Sequence, residues 1–216
     1  MLSITRQHDR KPNARGFVLH AAALYDVLVW LFTKGRERAL RERMIALAAL
    51  QPGDVVLDVG CGTGTLALLA AQKIAPTGRV HGIDASAAMI GRAERKARRA
   101  GASVQFSVAP AQALPFSDAS FDAVLATLML HHLPRPGRTE LAREMRRVLK
   151  PGGRALVIDF APASRARSGM LDRLHRRHGH TRPEEISATL AEAGLVLEAR
   201  GTVGANGLYF IHATAG

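Results

Sequence analysis

Hydrophobic side chains recur three and four positions apart between residues 17 and 50, which predicts amphipathic helices there. The break at Lys34 and Gly35 divides the pattern into two helices, and Pro52 with Gly53 ends the second. The two apolar series are Leu24, Val27, Leu28 and Leu31, then Leu40, Met44, Leu47 and Leu50. We expect residues 1–50 to form a helical cap and residues 51–216 to form the main domain.

From residue 54 onward, short apolar runs alternate with amphipathic segments. Strands are predicted at 54–59, 79–83, 103–108, 121–126, 154–159, 195–200 and 208–213. Helices are predicted at 65–74, 87–100, 138–149 and 183–193. Such alternation indicates an α/β domain with a parallel sheet covered on both faces, and the last two strands are predicted to pair.

Composition favours a globular protein of one domain with a small appendage, since the chain has 216 residues of which 47% are apolar. The apolar run 27–32 is far shorter than a membrane span. No secretory signal is expected at the N-terminus. Cys61 is the one cysteine, which excludes an internal disulfide and favours a reducing compartment. We therefore predict a cytoplasmic protein.

The formal net charge of +12 has three interpretations: a solvated basic surface, an anionic lipid or acidic substrate, or a nucleic acid. Most of the basic residues are arginine, and such an excess often reflects genome composition. Aromatic residues make up 5% of the chain, too few for a base-stacking platform. We expect no nucleic-acid partner and leave open a peripheral contact with the inner face of a membrane. The oligomeric state is not predicted.

A glycine-rich turn follows the first strand of the main domain, in VVLDVGCGTG. Gly60, Gly62 and Gly64 allow positive φ and close approach of a ligand to the backbone. Their G-x-G-x-G spacing differs from the G-x-G-x-x-G that is typical of a dinucleotide pyrophosphate site. Asp58, at the strand tip, would repel pyrophosphate and suits a cationic or amino-bearing ligand. Cys61 lies within the turn as a small filler.

Asp84 ends the second strand, in HGIDAS, where an acid can accept hydrogen bonds from ribose hydroxyls. The glycines, Asp58 and Asp84 together describe a pocket for a nucleoside with a positively charged amino-acid tail. S-adenosylmethionine fits that description.

Four segments in order resemble motifs of the class I S-adenosylmethionine-dependent methyltransferases. They are VVLDVGCGTG, GIDAS, ALPFSDASFDAVLATLMLHHL and REMRRVLKPGGRALVIDF. The chain is most similar to the ubiquinone/menaquinone-biosynthesis C-methyltransferases and their small-molecule relatives, chiefly over residues 50–160. The resemblance implies a Rossmann-like, doubly wound, mostly parallel sheet of seven strands, with helices on both faces and an antiparallel C-terminal strand.

The resemblance also implies roles in binding S-adenosylmethionine. Asp58 would hold the methionine amino group, Asp84 the ribose hydroxyls, and Thr127 would meet the methionine end. The remaining implied contacts come from the turn residues Gly60, Cys61, Gly62 and Gly64, and from Ala85 and Met89 beside the adenine.

One position departs from the pattern of many relatives. Pro110 stands where those proteins have an aspartate that binds the adenine amino group. Proline offers neither a carboxylate nor an N–H group. Adenine recognition then passes to Ala109, Ala111 or Gln112, and we expect cofactor binding weaker by about 1 kcal/mol.

Methyl transfer from a sulfonium needs a general base only when the acceptor must lose a proton. His131 and His132 follow the fourth strand beside the expected methyl position, and they act either on the acceptor or as supports of the loop. Tyr25 and His20 on the first predicted helix are candidates to cover the pocket, and Tyr25 is also a candidate catalytic residue. Asp159, at the end of the fifth strand, is a candidate to face the acceptor.

No metal site is predicted, since the histidines at 175, 178 and 180 lack accompanying acidic or cysteine ligands. We predict a methyltransferase acting on a small apolar or amphipathic acceptor, with a quinone-like or aromatic carbon or oxygen acceptor favoured. Two alternatives stay open: an N-methyltransferase for a phospholipid or other amine, and a non-catalytic module that binds the cofactor. An RNA methyltransferase is disfavoured by TLMLHHLP after the fourth strand.

Overall fold

The computed structural model describes residues 37–161, 181–204 and 207–216. Within them, one sheet contains β1 (Val55–Val59), β2 (Arg79–Asp84), β3 (Val104–Val108), β4 (Phe121–Thr127), β5 (Leu149–Phe160), β6 (Leu195–Thr202) and β7 (Leu208–Ala215). The described helices are α1 (Glu37–Leu47), α2 (Thr65–Ile74), α3 (Ala87–Ala100), α4 (Arg135–Val148) and α5 (Pro183–Glu192). A single turn of 3₁₀ helix spans Leu130–His132.

The strand order β3-β2-β1-β4-β5-β7-β6 confirms the predicted α/β fold class. Neighbouring strands are parallel except β7, which is antiparallel to both β5 and β6. The chain leaves β1 toward β2 on one side and leaves β4 toward β5 on the other. Right-handed crossovers therefore place the following helices on opposite faces, and a crevice opens between the carboxyl ends of β1 and β4.

Side chains of β1 alternate between two hydrophobic cores, because successive residues of a strand point to opposite faces. Val56 lies in the core beneath α1 and α2, whereas Leu57 and Val59 lie in the core beneath α4 and α5. Asp58 is two positions after Val56 and therefore lies on the face that α2 covers. This geometry carries its carboxylate under the first turn of the helix that follows the glycines.

Two predicted starting positions were wrong by three residues or more. Helix α4 begins at Arg135 rather than Arg138, since Pro136 is tolerated in a first helical turn, where its missing N–H has no intrahelical role. Strand β5 begins at Leu149 rather than Arg154, because the chain pairs with β4 on both sides of a bulge. The bulge contains Gly152, whose φ is 71°.

The second predicted N-terminal helix is present as α1, while the first lies outside the described residues. Met44 of α1 is buried in the same core as Leu66 of α2, and α1 packs against that helix. A separate cap that ends at residue 50 stays a prediction. Among the described residues, no helix has the length and apolar character to span a bilayer.

Candidate active site

The glycine-rich turn joins β1 to α2 at the edge of the crevice. Gly60, Gly62 and Gly64 have φ angles of 70°, 54° and 76°, which glycine adopts at little cost. The backbone N–H of Cys61 donates to the carbonyl oxygen of Ile83 at 2.9 Å and so ties the turn to the end of β2. The turn thus follows the predicted backbone course.

Two of these glycines are also required by close packing within the protein. A Cβ atom on Gly60 would lie 2.8 Å from Cβ of Met129, in the loop after β4. A Cβ atom on Gly64 would lie 2.8 Å from the ring of Phe106 and 2.9 Å from Cβ of Ala93. The sequence indicated positive φ and ligand approach as the reasons for these glycines. Their role in packing was not predicted. Contact of the three glycines with a cofactor stays a prediction.

Asp84 links the end of β2 to the glycine-rich turn. Its Oδ2 accepts the Gly62 N–H at 3.0 Å, and its Oδ1 accepts the Ser86 N–H at 2.8 Å. Each carboxylate oxygen has a second lone pair, so both can accept a further hydrogen bond. The partly exposed side chain therefore fits the predicted contact with two ribose hydroxyls.

Asp58 is the least satisfied charged group of the site. Its side chain is 1% exposed, and neither carboxylate oxygen accepts a hydrogen bond of ordinary geometry within the described residues. Burial raises the pKa of Asp58 to about 7, and the charge of Asp84 adds to the increase. The Arg41 charge and, to a smaller extent, the backbone N–H of Ala67 lower the pKa. An unpaired buried carboxylate is costly unless a donor or a cation reaches it. A ligand's ammonium group would meet that need.

Cys61 behaves as the small filler that the sequence indicated. It is 9% exposed, and its Sγ would lie 3.1 Å from a Cβ placed on Gly82. Burial, together with the charges of Asp58 and Asp84, raises the pKa of the thiol far above its ordinary value. The thiol is therefore kept neutral, which argues against a nucleophilic role.

Lys96 of α3 supports the turn and was missed from sequence. Its Nζ donates to Oγ1 of Thr65 at 2.7 Å and to Oγ1 of Thr63 at 3.0 Å. The lysine lies in a run of basic residues, GRAERKARRA, that is typical of a solvated helix face. No local signal separates it from its neighbours, because the contact joins elements more than 30 positions apart.

The side of the crevice predicted to hold adenine begins at the start of α3. Ala85 is exposed, whereas Met89 is 7% exposed and donates its N–H to Oγ of Ser86. At the end of β3, the N–H of Ala109 donates to the carbonyl oxygen of Asp84 at 3.1 Å, which extends the pairing with β2 beyond β3. Contacts of these residues with adenine stay predictions.

The loop that contains Ala111 and Gln112 turns back after Pro110. The carbonyl oxygen of Pro110 accepts the N–H of Ala113 at 3.3 Å, and Ala111 is 8% exposed. Nε2 of Gln112 would lie 3.1 Å from a Cβ on Gly137, so this side chain lies against the first turn of α4. A role of Gln112 in adenine recognition stays a prediction.

Arg147 of α4 fixes the middle of the same loop. Its guanidinium donates to the carbonyl oxygens of Leu114 and Phe116, and to the carboxylates of Asp118 and Glu144, at 2.7–3.0 Å. Glu144 also accepts the Leu114 N–H at 2.7 Å. No local signal in the sequence indicated this clamp.

The end of β4 brings together residues predicted for the methyl and acceptor side. Thr127 is partly buried at the end of the strand, and Leu128 follows with a φ of 55°. The 3₁₀ turn then places Nδ1 of His131 2.7 Å from Oδ1 of Asp159 at the end of β5. His132 is exposed, with its ring centroid 4.0 Å from that of His131. The structure thus pairs two residues that the sequence could only suggest separately.

Some candidate residues cannot be placed. Tyr25 and His20, and the histidines at 175, 178 and 180, lie outside the described residues. Among the residues that are described, no group of three His, Cys, Asp or Glu side chains is arranged to hold a metal ion.

Comparison with known proteins agrees with this geometry. Residues 56–153 match the family model described as a methyltransferase domain. Over 155 residues the chain is 33% identical to the ubiquinone/menaquinone biosynthesis C-methyltransferase of Ralstonia pickettii, covering 72% of this chain and 63% of that protein. Over 154 residues it is 36% identical to the demethylmenaquinone methyltransferase of Thermus thermophilus, covering 71% and 69% respectively.

Among solved structures, an S-adenosylmethionine-dependent methyltransferase from Aquifex aeolicus has the same fold, with a TM-score of 0.68 at 22% identity. The match covers 90% of this chain and 98% of that one. The sheet order and the crevice define a Rossmann-like nucleoside-binding domain. The chain belongs to the class I S-adenosylmethionine-dependent methyltransferases, in the group that includes the ubiquinone/menaquinone-biosynthesis enzymes. The chain spans less than two thirds of the length of the Ralstonia protein.

Proposed function

We propose that this chain transfers the methyl group of S-adenosylmethionine to a small, apolar or amphipathic aromatic acceptor of the quinone type. The observation that carries the proposal is the pair of acids at the ends of β1 and β2. Asp58 is buried without a hydrogen bond of ordinary geometry, and each carboxylate oxygen of Asp84 has a lone pair left for a ligand. A nucleoside with a cationic amino-acid tail satisfies both groups, whereas a pyrophosphate satisfies neither.

In this proposal different residues of the chain bind different parts of the cofactor. Asp58 takes the α-ammonium group, Asp84 takes the ribose hydroxyls, and Gly60, Gly62 and Gly64 supply the bare backbone beneath them. Ala85, Met89 and the backbone at Ala111 border the adenine. The cofactor, when bound, supplies a methyl group already activated by a positive sulfur. The protein's task is to hold the acceptor in line and to exclude water.

The acceptor side lies at the ends of β4 and β5. Phe160 presents its ring edge-on to His131, with centroids 5.2 Å apart, and Met129 and Leu128 lie in the adjoining loop. Apolar surface next to an imidazole suits an aromatic ring with a polar substituent. The names of the Ralstonia and Thermus proteins, which specify ubiquinone, menaquinone or demethylmenaquinone, support the same class.

His131 and His132 are the candidate catalytic residues among those described. Tyr25 is retained as a third candidate, on the first predicted helix. A peripheral membrane contact from the cytoplasmic side also belongs to this proposal. Its support is the net charge of +12, which favours anionic lipid surfaces, and the lipophilic acceptors named for the relatives.

The test has two stages. Calorimetry first measures S-adenosylmethionine binding to the unmodified protein, to Asp58→Asn, and to the exposed control Glu140→Gln. Transfer of tritium from methyl-labelled cofactor is then measured to a 2-alkyl-1,4-naphthoquinone kept reduced by dithiothreitol, to a catechol, and to phosphatidylethanolamine vesicles.

We expect the unmodified protein and Glu140→Gln to bind the cofactor and to label the reduced naphthoquinone, while Asp58→Asn does neither measurably. Labelling of phosphatidylethanolamine alone would instead identify an amine methyltransferase. Binding without labelling of any acceptor would identify a cofactor-binding module.

A further inference from the structure

The carboxylate of Asp159 is fully buried and accepts three hydrogen bonds at the end of β5. Its Oδ2 accepts the backbone N–H of His131 at 2.9 Å, and its Oδ1 accepts the backbone N–H of Phe160 at 2.7 Å. The third contact, at 2.7 Å, joins Oδ1 to Nδ1 of the His131 ring. The side chain is 0% exposed, so these contacts replace water completely.

This arrangement decides which ring nitrogen of His131 carries a proton. Two fixed backbone donors require Asp159 to act as an acceptor, and the ring completes the set by donating from Nδ1. A neutral imidazole with its proton on Nδ1 presents a lone pair at Nε2. The tautomer therefore follows from the hydrogen-bond network.

The same network fixes the position of the ring. Nδ1 contacts a carboxylate that solvent cannot reach, which leaves Nε2 as the ring nitrogen available to an acceptor, and 16% of the side chain is exposed. The Phe160 ring packs edge-on at 5.2 Å, and the backbone N–H contact to Asp159 holds the 3₁₀ turn itself. Ring and turn are thus held by one buried acid.

We infer that His131 is the general base that removes a proton from the methyl acceptor, and that Asp159 is the residue that positions it. The inference rests on the proposed function and specifies its acceptor as one with a dissociable proton, such as a hydroquinone. An amine with a free electron pair can attack the methyl group without first losing a proton, so its methylation would not need this pair of residues.

The step balances as follows for a hydroquinone. The O–H bond breaks and its proton moves to Nε2 of His131, while its electron pair stays on the acceptor. The ring carbon then forms the C–CH₃ bond as the S–CH₃ bond breaks, and the bonding electrons remain on sulfur. Loss of the proton from the methylated carbon to solvent restores the aromatic ring, and the proton held on Nε2 returns to the oxygen, so one proton is released overall.

Several titratable or charged groups surround the pair. His132 lies beside the ring, Tyr209 of β7 is opposite Asp159 in the sheet register, and Arg138 of α4 donates from Nε to the Leu130 carbonyl oxygen at 3.0 Å. Burial raises the pKa of Tyr209, whose hydroxyl donates to Oγ1 of Thr181 at 3.0 Å. The pH profile of the unmodified protein alone would contain the titration of all these groups. The profile of a variant that lacks the His131 imidazole must therefore be compared with it.

The first experiment replaces His131 by glutamine and measures methylation of the reduced 2-alkyl-1,4-naphthoquinone between pH 6 and pH 9. We expect kcat to fall by about 10²–10⁴-fold, with the cofactor Kd unchanged. The remaining rate should rise with pH as the acceptor ionises in solution. His212→Gln, a histidine of β7 that pairs with Leu156, is the matched control and should keep full activity.

The second experiment reads the positioning role without turnover. Nitrogen-15 spectra of histidine-labelled protein with S-adenosylhomocysteine should show the His131 proton on Nδ1. Asp159→Asn should lose this preference and lower kcat about 10–100-fold while changing KM little. If Asp159→Asn does not fold, the spectrum of the unmodified protein still decides the tautomer.

The outcomes distinguish a failure of the inference alone from a failure of the proposed function. If the unmodified protein methylates the acceptor and His131→Gln keeps its kcat and pH profile, the inference is overturned and the proposed function stands. A proton found on Nε2 likewise overturns the inference. If the unmodified protein binds the cofactor but methylates no acceptor with a dissociable proton, both proposals fail.

Discussion

Gly62 donates its backbone N–H to Oδ2 of Asp84 at 3.0 Å, across 22 positions of sequence. One acid therefore holds the glycine-rich turn and faces the predicted ribose position. Because the Ser86 N–H occupies Oδ1, both oxygens are oriented before any ligand arrives. A site oriented in this way loses little conformational entropy on binding.

Asp84→Asn is therefore expected to weaken S-adenosylmethionine binding by about 2–3 kcal/mol, or roughly 30- to 150-fold in Kd. The amide would lose the charge and would place a donor against one of the two backbone N–H groups. Calorimetry measures the change, with Glu94→Gln on exposed α3 as the control. A Kd equal to that of the unmodified protein would remove Asp84 from the site.

The pH dependence of the free energy of unfolding should report the ionisation of Asp58. Its pKa is about 7 in the folded protein, against 3.8 as the ordinary value, so the folded state holds the proton more tightly. The stabilisation from this group is fully present below pH 4 and is lost as the pH rises through 7. Between pH 5 and pH 8 the unliganded protein should lose roughly 2–3 kcal/mol from this source.

Asp58→Asn removes that loss and should make the unliganded protein more stable than the parent at pH 8, though not at pH 5. Urea unfolding at the two pH values measures the difference, and comparison with the parent cancels carboxylates such as Asp122 and Glu144, whose pKa values are lowered. Equal destabilisation by Asp58→Asn at both pH values would contradict the prediction.

Gly64→Ala should destabilise the fold more than Gly101→Ala. Both glycines have positive φ, so each substitution costs about 1–2 kcal/mol in backbone strain. Only at Gly64 would the new Cβ also meet Phe106 and Ala93, which adds about 1–3 kcal/mol of overpacking. At Gly101 no atom lies within 4 Å of the added Cβ. Urea midpoints compare the two variants, and equal losses would show that packing at Gly64 relaxes freely.

Arg147→Lys should loosen the loop between β3 and β4. A lysine cannot donate at once to Leu114, Phe116, Asp118 and Glu144, and the expected loss is about 1–3 kcal/mol in the free energy of unfolding. Binding of S-adenosylmethionine should weaken several-fold, because the loop carries Ala111. Arg143→Lys, exposed on the same helix, is the control for both measurements. The clamp has no role in binding if the cofactor Kd stays constant.

Local sequence predicted most of the architecture. Helices α2 and α3 begin and end where periodicity and the flanking glycines indicated, and all seven strands were predicted within a few residues of their bounds, except the start of β5. These features depend on residues a few positions apart, so hydrophobic spacing and turn chemistry are sufficient to reveal them. The turn with its two acids could be identified for the same reason.

Contacts between distant elements were decided only by the tertiary structure. Lys96 reaches Thr65 across 31 positions, and His131 reaches Asp159 across 28. Each contact requires two elements to become neighbours in the sheet or on one of its faces, and no local pattern encodes that choice. The sequence by itself therefore determined the strands, the glycine-rich turn and the type of ligand they suit. The folded chain alone decided which side chains support that turn and which acid orients the histidine, because strand order brings their backbones together.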